Sequence, residues 1–123
     1  MGVIELARVY DPDDGREVPR FLVERLWPRG VRRADLRLTD WLPQVGPSPE
    51  LRTWFDHRLE RWDTFQRRYW AELEAHPEDW RAVRDAAVAG DVTLLFSSRD
   101  VDHNSAVALR TFLLAAVRER AAD

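Results

Sequence analysis

The chain contains no cysteine, no lysine, one methionine and five glycines among 123 residues. The lack of cysteine excludes disulfides, thiolate nucleophiles and Cys-ligated metals, and it fits a reducing compartment. All 19 basic residues are arginine. The plainer reading of that usage is codon bias in a GC-rich genome; selection for forked contacts to phosphate fits only particular positions. No apolar run approaches the ~20 residues that cross a bilayer, and none precedes a small-residue cleavage site. The expectation is a soluble, cytoplasmic protein. The net charge is only −3, so no global basic field advertises nucleic-acid binding. The chain also lacks a Gly-rich phosphate loop, an H-E-x-x-H helix and a G-x-S-x-G turn. There is no internal repeat, linker or low-complexity segment.

What is present is ample core material. Hydrophobic residues make up 45% of the chain and six are Trp, enough for one domain spanning residues 1–123. Val3 to Val9 and Phe21 to Leu26 carry strand patterns, separated by the turn residues Pro12-Asp13-Asp14-Gly15. Trp27-Pro28 ends the second run, since proline cannot donate to a ladder. Leu36, Leu38, Trp41 and Leu42 suggest a short helix stopped near Pro43. Ser48-Pro49 opens another, with serine as cap and proline at the first helical position. Trp62, Phe65, Tyr69 and Leu73 recur at helical spacing, predicting a helix near Glu60 to Ala75. Pro77 starts the next helix and Gly90 closes it. Val92 to Phe96 is a continuous apolar run that suits a strand covered on both faces. The last helix is expected near His103 to Glu119. The order predicts an α/β fold: a small, mostly parallel sheet flanked by helices in a single layered domain. The short first connection leaves an antiparallel pairing of the first two strands open. The long helical link to the third predicts a parallel pair.

In open parallel sheets, ligands bind beyond the carboxyl ends of the strands. Two polar loops lie at such ends. The first brings Arg25, Arg29 and Gly30 around the rigid Trp27-Pro28 pair; Arg25 to Arg33 holds four arginines and no acid. The second brings Ser97, Ser98, Arg99, Asp100, Asp102, His103 and Asn104 to the start of the last helix. Free amides at a helix start and the forked geometry of arginine both favour an anion. Arg25, Arg29, Gly30, Arg99, Asn104 and Ser97 are the candidate binding residues, with Asp100 and His103 as candidate proton-transfer groups. Each has a plainer alternative. Arg25 pairs equally well with Glu24, Asp100 or Asp102 in a structural bridge. Arg32 and Arg33 read as a solvated patch, Asp102 or Asn104 as helix caps, and Trp27 as core rather than a platform for a base. Nothing supplies the remaining ligands of Asp100-x-Asp102-His103 at a recognisable metal-site spacing, so no metal or cofactor is expected.

At FLVERLWPRG, GPSPELRTWF, RWDTFQRRYWAEL and LLFSSRDVDHNSAVAL the chain resembles the YeaO-like branch of the DUF488 family, small bacterial and archaeal proteins without a settled function. The resemblance runs from about Val9 to Leu114, and the four motifs occur in order. The family pattern L-V-D-R-L-W-P-R-G matches at Arg25, Trp27, Pro28, Arg29 and Gly30, with Glu24 in place of Asp. A basic residue and Asp before H-N fall on Arg99, Asp100, His103 and Asn104. The motif W-F-x-H-D becomes Trp54-Phe55-Asp56-His57-Arg58; losing the acid at position 58 weakens a catalytic role for the His57 region. The Cys-His-Arg common in the wider family is absent, so no thiol mechanism carries over.

Three functions fit these residues. One is an enzyme acting on a phosphorylated metabolite, nucleotide or nucleic-acid end, with Arg25 and Arg29 as the anion clamp. Another is a non-catalytic nucleotide or nucleic-acid binding module. The third is a protein-interaction domain whose arginine loops are structural.

Overall fold

The computed structural model describes residues 2–122. Four strands form one sheet: β1 (Ile4–Arg8), β2 (Arg20–Leu22), β3 (Asp40–Trp41) and β4 (Val92–Phe96), in the order β1-β4-β2-β3. Every neighbouring pair is parallel. Ile4 stands opposite Val92, and Phe21 is opposite both Leu94 and Asp40. The open alternative of an antiparallel β1–β2 hairpin is thereby excluded, because β4 lies between those strands. All five β4 residues are buried, as a continuous apolar run requires of a central strand.

Four helices complete the fold: α1 (Pro49–Phe55), α2 (Trp62–Ala75), α3 (Arg81–Ala89) and α4 (Ser105–Ala122). They cover a single face of the sheet. There Phe21, Val23, Leu94 and Phe96 meet Leu51 and Phe55 of α1, Phe65 and Tyr69 of α2, Val83 of α3 and Leu109 and Leu113 of α4. Residues of opposite parity, Leu22 and Leu95, point to the other face. That face is closed by the segment after β2, through Trp27, Val31, Leu36, Leu38 and Trp41, and by Val9. Among the described residues no helix is long and apolar enough to cross a membrane.

The helix expected over Leu36 to Leu42 does not form. A single 3-10 turn spans Arg33–Asp35 and the chain then reverses at Arg37, whose φ of 49° is left-handed. Asp40 and Trp41 continue as an edge strand, supported by Thr39 N–H to Arg20 O at 2.8 Å and Leu42 N–H to Leu22 O at 2.9 Å. β2 is shorter than the expected Phe21 to Leu26. After Val23 the chain leaves the ladder, and the Trp41 indole N–H takes the Glu24 carbonyl at 2.7 Å. α2 starts at Trp62 because Leu59–Arg61 winds as a 3-10 turn, and α4 starts at Ser105 rather than His103. The expected serine cap of α1 forms, with Ser48 Oγ accepting the Leu51 N–H at 3.2 Å.

Candidate functional site

The loops that follow β2 and β4 meet α1 around one open cleft of about 550 Å³. Arg25, Arg29, Ser97, His103 and Asn104 line it. Gly30, Arg99 and Asp100 are not among the lining residues. Gly30 holds φ at 75°, a left-handed conformation that suits glycine and turns the chain after Arg29. Arg99 is exposed. Asp100 stands behind His103, its carboxylate oxygens 3.2 and 3.1 Å from the ring Nδ1.

Much of the second loop's polarity is spent on its own shape. Asp100 Oδ1 accepts the amides of Asp102 and His103, each at 3.0 Å. The Asp102 amide is the main reason that the Asp100 carboxyl sits below its ordinary range, with further help from the His103 amide and ring. Asn104 is buried and serves as the cap of α4: its Oδ1 accepts the Val107 N–H at 3.1 Å and its amide donates to Asp100 O at 2.8 Å. Ser97 gives its N–H to Glu24 at 2.7 Å and its hydroxyl at 2.8 Å. Its main-chain donor is therefore engaged, and the shared carboxylate pins the two loops together.

The arginines differ sharply in their surroundings. Arg20 is buried, bonding Leu36 O at 2.9 Å with Asp13 at 3.8 Å. Arg32 pairs with Asp35 at 3.1 Å, and Arg33 lies over the Trp27 ring at 6.0 Å. Trp27 itself belongs to the second face's packing, with its indole N–H on Val31 O and its ring edge-on to Trp41. On the cleft, Arg25 donates Nε to Pro47 O at 2.7 Å, and its aliphatic stem packs against Gly46, where a Cβ would lie 3.2 Å from its Cγ. None of the carboxylates expected to bridge Arg25 does so. Among the described residues, Arg25, Arg29 and Arg52 have no carboxylate partner.

Sequence reasoning missed Arg52 and undervalued His57, which both line the cleft from α1 and its end. Nothing local to α1 says which sheet end it covers. The mark lies in the structure instead: Asp56 and His57 both adopt left-handed φ, 48° and 54°, a costly run for residues with a Cβ and one that concentrates where structure holds it for a purpose. An aromatic wall joins the two imidazoles: His57 to Phe55 at 6.1 Å, Phe55 to Trp62 at 5.8 Å and Trp62 to His103 at 5.4 Å between ring centres. Away from the cleft, His76, Glu78 and Asp79 cluster on the turn before α3, with His76 Nδ1 3.2 Å from Glu78.

Residues 3–123 match a family model described as the inactive DUF488-N3 subclade. This chain belongs to the DUF488 family. Among its relatives, the uncharacterized protein YeaO of Escherichia coli (strain K12) is 38% identical over 110 residues, covering 89% of this chain and 96% of that protein. The uncharacterized protein Rv3073c of Mycobacterium tuberculosis (strain ATCC 25618 / H37Rv) is 49% identical over 73 residues, 57% of this chain and 59% of that relative. An uncharacterized protein of Mycobacterium bovis, Mb3100c, matches to the same extent. No solved structure matches the chain at a significant level.

Proposed function

We propose that this DUF488 member binds a small phosphate-bearing ligand in the cleft and acts by binding rather than turnover. The observation that carries the reading is a cationic lining without carboxylate partners. Arg25, Arg29 and Arg52 face the cleft, against only Glu24 and Asp56 as acids. Glu24 is already engaged with Ser97, and Asp56 has Arg58 at 3.8 Å. Guanidinium groups without a carboxylate are suited to the forked acceptor pattern of a phosphate. Arg29 is the principal contact, with Arg25 and Arg52 beside it. Gly30 shapes the turn, while Ser97 and Asn104 set the loop geometry, and exposed Arg99 adds charge to the second loop. The description of the matched subclade as inactive supports binding over catalysis. A chain without cysteine fits a reducing, cytoplasmic setting. A phosphorylated nucleic-acid end presents the same group and falls within this reading.

A second reading rests on one pair. Asp100 orients His103 through Nδ1 and leaves Nε2 for proton transfer, the arrangement a general acid–base requires. It makes the protein a phosphoryl hydrolase or transferase. Calorimetric titration with inorganic phosphate and with nucleotides tests the main reading: saturable heat that disappears in Arg29→Ala supports it, and equal weak heat from both proteins removes it. Release of phosphate from any of those nucleotides, abolished in His103→Gln, replaces it by the second reading.

A further inference from the structure

We infer that the ligand is a nucleoside monophosphate, with its phosphate at Arg29 and its base packed on Leu26 and the edge of Phe55; this rests on the phosphate-binding reading above. The cleft, at about 550 Å³, far exceeds a phosphate and falls in the range of pockets that take organic ligands. Its apolar lining is concentrated. Leu26 is 64% exposed between Arg25 and Trp27 and lines this cleft. A lone exposed leucine is ordinary; one lining the same cleft as Phe55, Pro47 and arginines without carboxylate partners is half of an amphipathic site. Phe55 comes from α1 and Leu26 from the loop after β2, so the apolar lining draws on two separate elements. Phe55 is buried and stacked on Phe65 at 4.4 Å between ring centres, so only a small, fixed part of the ring reaches the cleft. Hydroxyls suited to a sugar lie in the same lining: those of Thr53 and Ser105 have no side-chain hydrogen bond among the described residues. The charge balance favours a monophosphate. Three arginines against two carboxylates leave a small positive excess, which suits a single phosphate better than the larger charge of a triphosphate.

The test is titration of the intact protein with AMP, UMP, ribose 5-phosphate, inorganic phosphate, ATP and a 5′-phosphorylated oligonucleotide. AMP or UMP binding about tenfold more tightly than ribose 5-phosphate, the gain a packed base brings, is the expected result. Leu26→Ser, an exposed position whose replacement leaves the core intact, brings the nucleotide down to the affinity of the sugar phosphate. Equal affinity for nucleotide and ribose 5-phosphate overturns the base subsite while leaving phosphate binding in place. Tighter binding of ATP than of AMP overturns the monophosphate assignment. Tighter binding of the oligonucleotide assigns the cleft to nucleic-acid ends instead. Absence of any saturable binding, inorganic phosphate included, removes the parent reading as well.

Discussion

Glu24 and Ser97 tie together the carboxyl ends of the adjacent parallel strands β2 and β4: one carboxylate accepts the Ser97 N–H at 2.7 Å and its hydroxyl at 2.8 Å. The half-buried pair sits at the point where the chain leaves both strands to form the cleft. Glu24→Ala removes a charged acceptor from two donors and costs about 2 kcal/mol in urea unfolding. Glu24→Asp, the residue usual in the family pattern, is one methylene shorter and costs about 1 kcal/mol. In both variants anion affinity falls, because the two loops lose their common anchor.

Arg29→Ala has the opposite profile. Its side chain has no partner to lose, so stability changes by less than about 0.5 kcal/mol while anion binding falls at least about tenfold. Arg20→Leu makes the comparison: it deprives the Leu36 carbonyl and Asp13 of a buried donor and costs about 2–3 kcal/mol. Chemical denaturation beside calorimetry separates the two classes of arginine.

The legible parts of the fold are those where local chemistry and tertiary role agree. Val92 to Phe96 is apolar at every position and is central, so the β4 bounds follow from the residues alone. Ser48-Pro49 specifies a helix start by its own hydrogen bonding. β3 was hidden because two residues carry no period and because its pairing depends on a left-handed turn at Arg37, where no glycine announces one. For the cleft, the strand-end rule brings the Arg25–Arg29 and Ser97–Asn104 loops together. It says nothing of α1, whose Arg52 and His57 reach the same space only through the packing of Leu51 and Phe55 on the sheet.

Acid lowers the stability of this protein in a defined direction. Asp13 is held well below its ordinary range by Arg37 first and by the Gly15 amide next; Asp91 is lowered by the Val3 amide and then Arg16, and Asp100 by the Asp102 amide. A folded-state pKa below the unfolded one means that the unfolded chain takes up protons first. The stabilisation is therefore complete above the unfolded value of about 4 and is lost as pH falls through the depressed folded values. Asp13→Asn lowers the urea midpoint at neutral pH. The gap from the parent protein narrows as pH falls below about 4, and a gap independent of pH counts against the ion-pair origin.

Tyr69 offers the cleanest measure of a buried hydrogen bond here. Its side chain is 1% exposed, and its hydroxyl donates to Val45 O at 2.5 Å across from α2 to the 3-10 turn before α1. Burial pushes the phenol's pKa far upward, so it remains a donor at every accessible pH. Tyr69→Phe keeps the ring in its tilted contact with Phe65 but strands the Val45 carbonyl without its donor. The expected cost is about 1–2 kcal/mol, with an unchanged m-value, because the surface exposed on unfolding is the same. A cost near zero means that water reaches the Val45 carbonyl, and crystallography of the variant then finds an ordered water in the space the hydroxyl vacates.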